Sequence, residues 1–245
     1  MRLIFNIIVV LFISSLNSLA DTYEERRFII EAKFRILPSI KVMEIYTKLE
    51  IKEDNYDYIF DIKSKNIVKF INEINGTGKV KGKILNNQYI PSNYTYSYKR
   101  KEKNKYVEIV YKKNDISEIT IIPNYDKSKL TPLTGRMLEA TIDPSTFFLS
   151  ILDYKNINNC QKTFRIFDGK RRYDVQFNKL RTSSNNLIEC EAKQIKLGGY
   201  KDKENDVFAA SDFIKIVYDN RNNEFLRYEA RNGSIDIIIV ETELK

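Results

Sequence analysis

Phe167-Asp168-Gly169-Lys170-Arg171-Arg172-Tyr173-Asp174 lies between Cys160 and Cys190, the only two cysteines of the 245-residue chain. Asp168-Gly169 between β-forming residues spells a two-residue hairpin, because a type I′ turn needs positive φ at both central positions and this pair adopts it with little strain. The turn predicts a register. Phe167 faces Lys170, Ile166 faces Arg171, Arg165 faces Arg172, Phe164 faces Tyr173 and Thr163 faces Asp174. Parity then places Phe164, Ile166, Tyr173, Val175 and Phe177 on one face, and an unbroken strand adds Cys160 to them. Arg165, Arg172 and Asp174 share the other face.

Two arginines directly opposite each other repel. Asp174 neutralises one, which leaves two readings of the group Arg165, Arg171, Arg172 and Asp174. It is either a net positive contact for a carboxylate, a phosphate or a protein partner, or an ion-pair cluster that knits the hairpin to its neighbours.

Cys190 shares an apolar face with Ile188 and Ala192, while Glu189, Glu191 and Lys193 point away. Both cysteines therefore belong to the core, and one disulfide between Cys160 and Cys190 is expected. Closing a loop of about 30 residues stabilises by roughly 3–4 kcal/mol in the chain-entropy model.

The compartment is read from residues 1–20. Arg2, the apolar run Leu3 to Leu16 and the small residues of Ser18-Leu19-Ala20 spell a secretory signal, so a single β-rich domain of residues 21–245 is expected in an oxidising, periplasmic space. The alternative is an uncleaved anchor, although the run is short of the roughly 20 apolar residues that span a bilayer. Removing the signal takes away Arg2 and no acid, which lowers the formal charge of +8 by one. That balance suits an anionic partner, and export argues against nucleic acid.

Upstream, Phe28, Ile30, Ala32, Phe34 and Ile36 alternate with Arg27, Glu31, Lys33 and Arg35. Period two over ten residues reads as a half-buried strand. Ile40 to Ile51 and Tyr56 to Lys63 continue as an antiparallel meander. Asn66 to Ile74 switches to a helical spacing of apolar residues that Asn75-Gly76 would stop. Strands follow at Thr95 to Lys99, Tyr106 to Lys112 and Ile116 to Ile122. The stripe Tyr94, Tyr96, Tyr98 is either cross-strand packing or a binding platform. Pro123 to Arg136 is a long polar connection.

Asp143 as N-cap, Pro144 at the first position and the pairs Phe147/Ile151 and Phe148/Leu152 spell a helix of about ten residues. So short and apolar a helix must pack on or in the sheet. Beyond Cys160 the strands are Thr163–Phe167, Arg171–Phe177, Leu187–Leu197, Asp212–Tyr218, Glu224–Ala230 and Ser234–Glu241. The fold class expected is mainly β: a single curved antiparallel sheet or partly open barrel with one or two short helices packed on or in it.

The chain has no histidine, so His-dependent triads and His-ligated metals are impossible. No catalytic, cofactor or metal site is expected. The cysteine pair with its Phe-Asp-Gly-Lys-Arg-Arg-Tyr-Asp core, the Asp143-Pro144 helix and Tyr89-Ile90-Pro91-Ser92-Asn93-Tyr94 resemble a family of exported proteobacterial proteins classed as a domain of unknown function. The resemblance implies a periplasmic antiparallel β fold and brings no activity.

Three function classes follow. A sheet wrapped around an apolar helix suits a non-catalytic carrier of a lipid or other amphiphile. A basic surface suits an interaction module for an envelope protein or an anionic polymer. An enzyme built on a carboxylate pair is the third class, and no spacing singles out such a pair. Membrane contact is expected only through the signal before cleavage.

Overall fold

A computed structural model of the chain describes residues 21–34, 38–66, 69, 73–100, 103–157, 160–182, 186–201, 211 and 213–244. The expected signal at 1–20, the end of the first expected strand at Ile36 and most of the helix expected at Asn66 to Ile74 lie outside these residues. Ile74 itself opens a strand.

The first meander holds β1 Thr22–Phe34, β2 Ile40–Lys52, β3 Asn55–Ser64, β4 Ile74–Leu85, β5 Gln88–Arg100, β6 Lys103–Lys112 and β7 Asp115–Ile122, with period-two alternation clearest in β1 to β3. The second holds β8 Thr163–Phe167, β9 Arg172–Thr182, β10 Leu187–Gly198, β11 Phe213–Asp219, β12 Phe225–Asn232 and β13 Ile235–Thr242. Each strand pairs antiparallel with its sequence neighbour within a meander. The first and last strands join the two meanders, with Ile30 opposite Ile239. The result is one 13-stranded antiparallel sheet in the order β7-β6-β5-β4-β3-β2-β1-β13-β12-β11-β10-β9-β8.

The sheet does not close by strand pairing, so its edges are β7 and β8. These are also consecutive in sequence. The chain between them carries a single helical turn, α1 Gly135–Leu138, and the helix α2 Pro144–Ile151.

The connection bridges the two edges. Ala140 N donates to Asp115 Oδ1 of β7 at 2.9 Å, while Ile142 pairs in parallel with β8, donating to Arg165 O at 2.8 Å and accepting from Phe167 N at 2.9 Å. Two backbone groups of that β8 edge, Arg165 O and Phe167 N, thus gain partners.

α2 begins where the sequence places it. Asp143 Oδ1 accepts from Ser145 N at 2.9 Å and Thr146 N at 2.8 Å, and Oδ2 accepts from Thr146 Oγ1 at 2.6 Å. The helix buries Phe147, Leu149 and Ile151 against the inner face of the sheet. Phe28, Tyr58, Ile109, Ile166 and Tyr218 fill the same interior, and Tyr218 Oη donates to Ile151 O at 2.7 Å where the helix ends. The space that the curved sheet encloses is therefore a side-chain core.

β4 has no counterpart among the strands expected from the sequence. Its three glycines hide the pattern, and the structure gives their reason. A Cβ at Gly78 would stand 2.0 Å from Phe60 Cζ, one at Gly76 2.8 Å from Tyr96 Oη, and one at Gly82 2.1 Å from the Ile90 carbonyl oxygen. Aromatic rings on β3 and β5 occupy the room these positions leave. The tyrosine stripe resolves in the same way: Tyr94 is core, and Tyr96 stacks on Phe60 with ring centroids 5.7 Å apart.

Candidate functional site

The central hairpin forms, with a different turn. Arg165 pairs with Asp174, Ile166 with Tyr173 and Phe167 with Arg172, a register two residues away from the type I′ expectation. The Asp168 side chain makes the difference: its Oδ1 accepts from Lys170 N at 2.8 Å and Arg171 N at 2.6 Å, which closes a longer loop with Gly169 at φ +90°. Local Asx hydrogen bonding outweighs the two-residue turn. Because a shift of two keeps every side chain on its face, Phe164, Ile166, Tyr173, Val175 and Phe177 are all buried as expected.

Of the two readings of the charge group, the contacts made are those of the ion-pair cluster. Arg172 is only 1% exposed. Its Nε donates to Met137 O at 2.6 Å, and one terminal nitrogen donates to Tyr173 O at 2.5 Å and Asp174 Oδ1 at 2.6 Å. Arg165 donates to Arg136 O at 3.2 Å, and Arg171 lies 3.4 Å from Asp168 Oδ2. Arg165 and Arg172 thus hold the carbonyls of α1, which lies over the outer face of the hairpin. Arg172 is buried in this clamp, while Arg165, Arg171 and Asp174 are half-buried around it.

Cys160 and Cys190 are bonded, with Cα atoms 5.3 Å apart. Cys160 lies in the turn before β8, not on an extended β8, and both residues are fully buried. Cys190 sits on β10 opposite Leu180 of β9 and Ile216 of β11. The bond therefore ties the connection to the middle of the second meander.

The connection also shapes a groove. Beyond β7 the chain turns back along the edge strand and is held at its far side, where Thr131 N donates to Tyr200 O at 2.8 Å and Gly199 N donates to Thr131 O at 2.9 Å. Tyr125 Oη reaches Gly169 O at 3.3 Å. Between this segment and β7 lies a groove of about 690 Å³, walled by Ile119, Ile121, Leu130, Leu133 and Phe167, with Lys127 on its margin. Its surface is mostly apolar. Sequence reading placed these residues in a polar connection and an ordinary strand, and only the Ile119-Thr120-Ile121-Ile122 and Leu130-Thr131-Pro132-Leu133 runs hinted at it.

A second depression, of about 570 Å³, opens where β1 begins and β13 ends. Arg26 stands there between Glu24, 2.6 Å away, and Glu241, 3.3 Å away. Burial pushes the Glu241 carboxyl up despite Arg26. Arg26 thus balances two acids of this mouth, whose surface is mainly polar.

Inside the sheet, Asp143 is fully buried near Tyr56, Tyr94 and Tyr111. Burial raises its carboxyl to about 6 against the three hydrogen bonds that favour the anion. Tyr56 Oη lies 3.4 Å from Thr146 Oγ1. Asp143 faces core aromatics, so the arrangement is a helix cap within the core. Among the described residues no group of three or more potential metal-ligating side chains gathers, and no helix is long and apolar enough to cross a membrane.

No family model matches the chain, and no curated protein matches it. Among solved structures it is similar to the crystal structure of a beta-barrel-like protein of a domain of unknown function, DUF1849, from Brucella abortus. The two share 7% identity at a TM-score of 0.46, over 89% of this chain and 96% of that one.

Proposed function

We propose that this protein is a non-catalytic binding or carrier protein of an exported, oxidising compartment, and that its ligand is an amphiphile whose apolar chain lies in the groove beside β7. The observation that carries this reading is the apolar groove of about 690 Å³ between Ile119 and Ile121 on one side and Leu130 and Leu133 on the other. Its volume falls within the roughly 300–1,000 Å³ of small-molecule sites. The disulfide is compatible with export, and the leading residues 1–20 read as a secretory signal.

The interior cannot serve as the carrier cavity, because α2 and the aromatic side chains fill it. A chain entering the groove instead gains contact with the apolar edge strand and the segment held opposite. Lys127 forms no ion pair among the described residues and offers a counter-charge for a carboxylate head. Each methylene buried contributes ~0.8 kcal/mol, so affinity should rise about fourfold per added methylene until the chain outgrows the groove.

Titration of the folded protein with a fluorescent fatty acid, with unlabelled acids of graded length as competitors, tests this. Saturable binding with that chain-length dependence, weakened at least about tenfold by Leu133→Asp, is the expected result. Lys127→Ala should weaken the acids and leave the matching alcohols unchanged. Absence of binding, or binding indifferent to Leu133→Asp, would overturn the reading.

A further inference from the structure

On the outer face of the first meander, a row of side chains crosses five strands at one level. Asp61 of β3 faces Thr77 of β4, Thr77 faces Ser97 of β5, Ser97 faces Tyr106 of β6, and Tyr106 faces Ile122 of β7. The next row holds Lys63, Asn75, Lys99 and Asn104, again direct partners across the same strands. These two rows line a depression of about 400 Å³. The short side chains of Thr77 and Ser97 form its floor, and Tyr106 with the 59% exposed Ile122 forms one wall.

Three features of this groove point to one ligand chemistry. Its polar groups repeat once per strand, every ~4.8 Å, about the length of one sugar ring. Among the described residues the side chains of Ser97, Lys99 and Asn104 form no hydrogen bond or ion pair, so donors and acceptors face outward at that spacing. Tyr106 is held by a hydrogen bond of 3.1 Å from its hydroxyl to Glu108, and its ring offers an apolar surface for the C–H face of a pyranose.

The charge is asymmetric. Lys63 and Lys99 border the floor, and Lys63 Nζ rests 5.9 Å from the centre of the Tyr46 ring rather than on a carboxylate. Among the described residues lining the groove the one acid, Asp61, already accepts a hydrogen bond from the Thr77 hydroxyl. A carboxylate arriving between the two lysines meets charge-assisted donors and little repulsion.

We infer that this outer-face groove across β3 to β7 binds a carboxylated oligosaccharide, one sugar ring per strand, at a site separate from the apolar groove. Tyr106 stacks on a ring, Ser97 and Asn104 bond hydroxyls, and Lys63 and Lys99 take carboxylates.

Amide-resolved NMR titration of the folded protein with a galacturonic acid trimer tests this, with maltotriose and inorganic phosphate as separate arms. Saturable shifts confined to residues 61–63, 75–77, 97–99 and 104–106 are expected, with maltotriose weaker by about tenfold or more. Tyr106→Ala and the pair Lys63→Ala with Lys99→Ala should each weaken binding about tenfold, while Lys127→Ala at the apolar groove leaves it unchanged. Shifts scattered over surface lysines, equal displacement by inorganic phosphate, or no saturable shift at millimolar trimer would overturn the inference. Mapping on the unsubstituted protein decides even if a variant fails to fold.

Discussion

Arg172 and Asp143 are ionisable side chains in the protein interior, and their surroundings treat them differently. Arg172 meets two backbone carbonyls and a carboxylate within 2.6 Å, so its planar fork is satisfied in three directions. Asp143 meets hydrogen-bond donors and, among the described residues, no cation, and its burial raises the carboxyl from 3.8 to about 6. A carboxyl that titrates higher in the folded than in the unfolded chain favours folding in its protonated form. That contribution is complete below about pH 4 and is lost as pH rises through 6. Two units correspond to ~3 kcal/mol. Asp143→Asn keeps an oxygen for the Ser145 and Thr146 amides and removes the titration, so the stability of the native protein relative to this variant should fall by ~3 kcal/mol between pH 4 and pH 7. Urea unfolding at the two pH values measures it; a difference independent of pH would show that Asp143 is solvated. The N-cap role was legible from Asp143-Pro144. The depth of its burial was not, because that depends on which strands surround the helix.

Among the elements, strand β4 and the β8–β9 hairpin depart furthest from sequence expectation, for opposite reasons. The hairpin was recognised from Asp168-Gly169, and only its loop length was missed. The competition between a type I′ turn and the Asp168 side chain is settled by a few hydrogen bonds. In β4, glycine erases the alternation that reveals strands, since a position left empty for a neighbour's ring carries no hydrophobic signal of its own. Gly78→Ala would set its methyl against Phe60. We expect a loss of roughly 1–3 kcal/mol, reduced when Phe60→Leu makes room. A double-mutant cycle by chemical denaturation reads the coupling, and additive effects would mean that Phe60 is not what Gly78 accommodates.

At the scale of the molecule, the sheet is two meanders joined through β1 and β13, and the connection between β7 and β8 spans the edges left over. The disulfide anchors that connection to β10. Reduction, or Cys160→Ser with Cys190→Ser, should lower stability by roughly 3–4 kcal/mol. Amide exchange should show the loss of protection first at Ile142 and Phe167, which bond the connection to the β8 edge. Equal loss across all strands would place the effect in the unfolded chain alone. The sequence by itself determined the β class, the helix with its cap, the cysteine pairing and the exclusion of histidine chemistry. These follow from period, side-chain chemistry and composition, which act over a few neighbouring residues or need only counting. Only the tertiary structure decided that β1 meets β13, that Arg172 is buried beneath α1, that helix and rings fill the interior, and that grooves form beside β7 and across β3 to β7. Each of these depends on contacts between residues distant in the chain, whose partners no local pattern encodes.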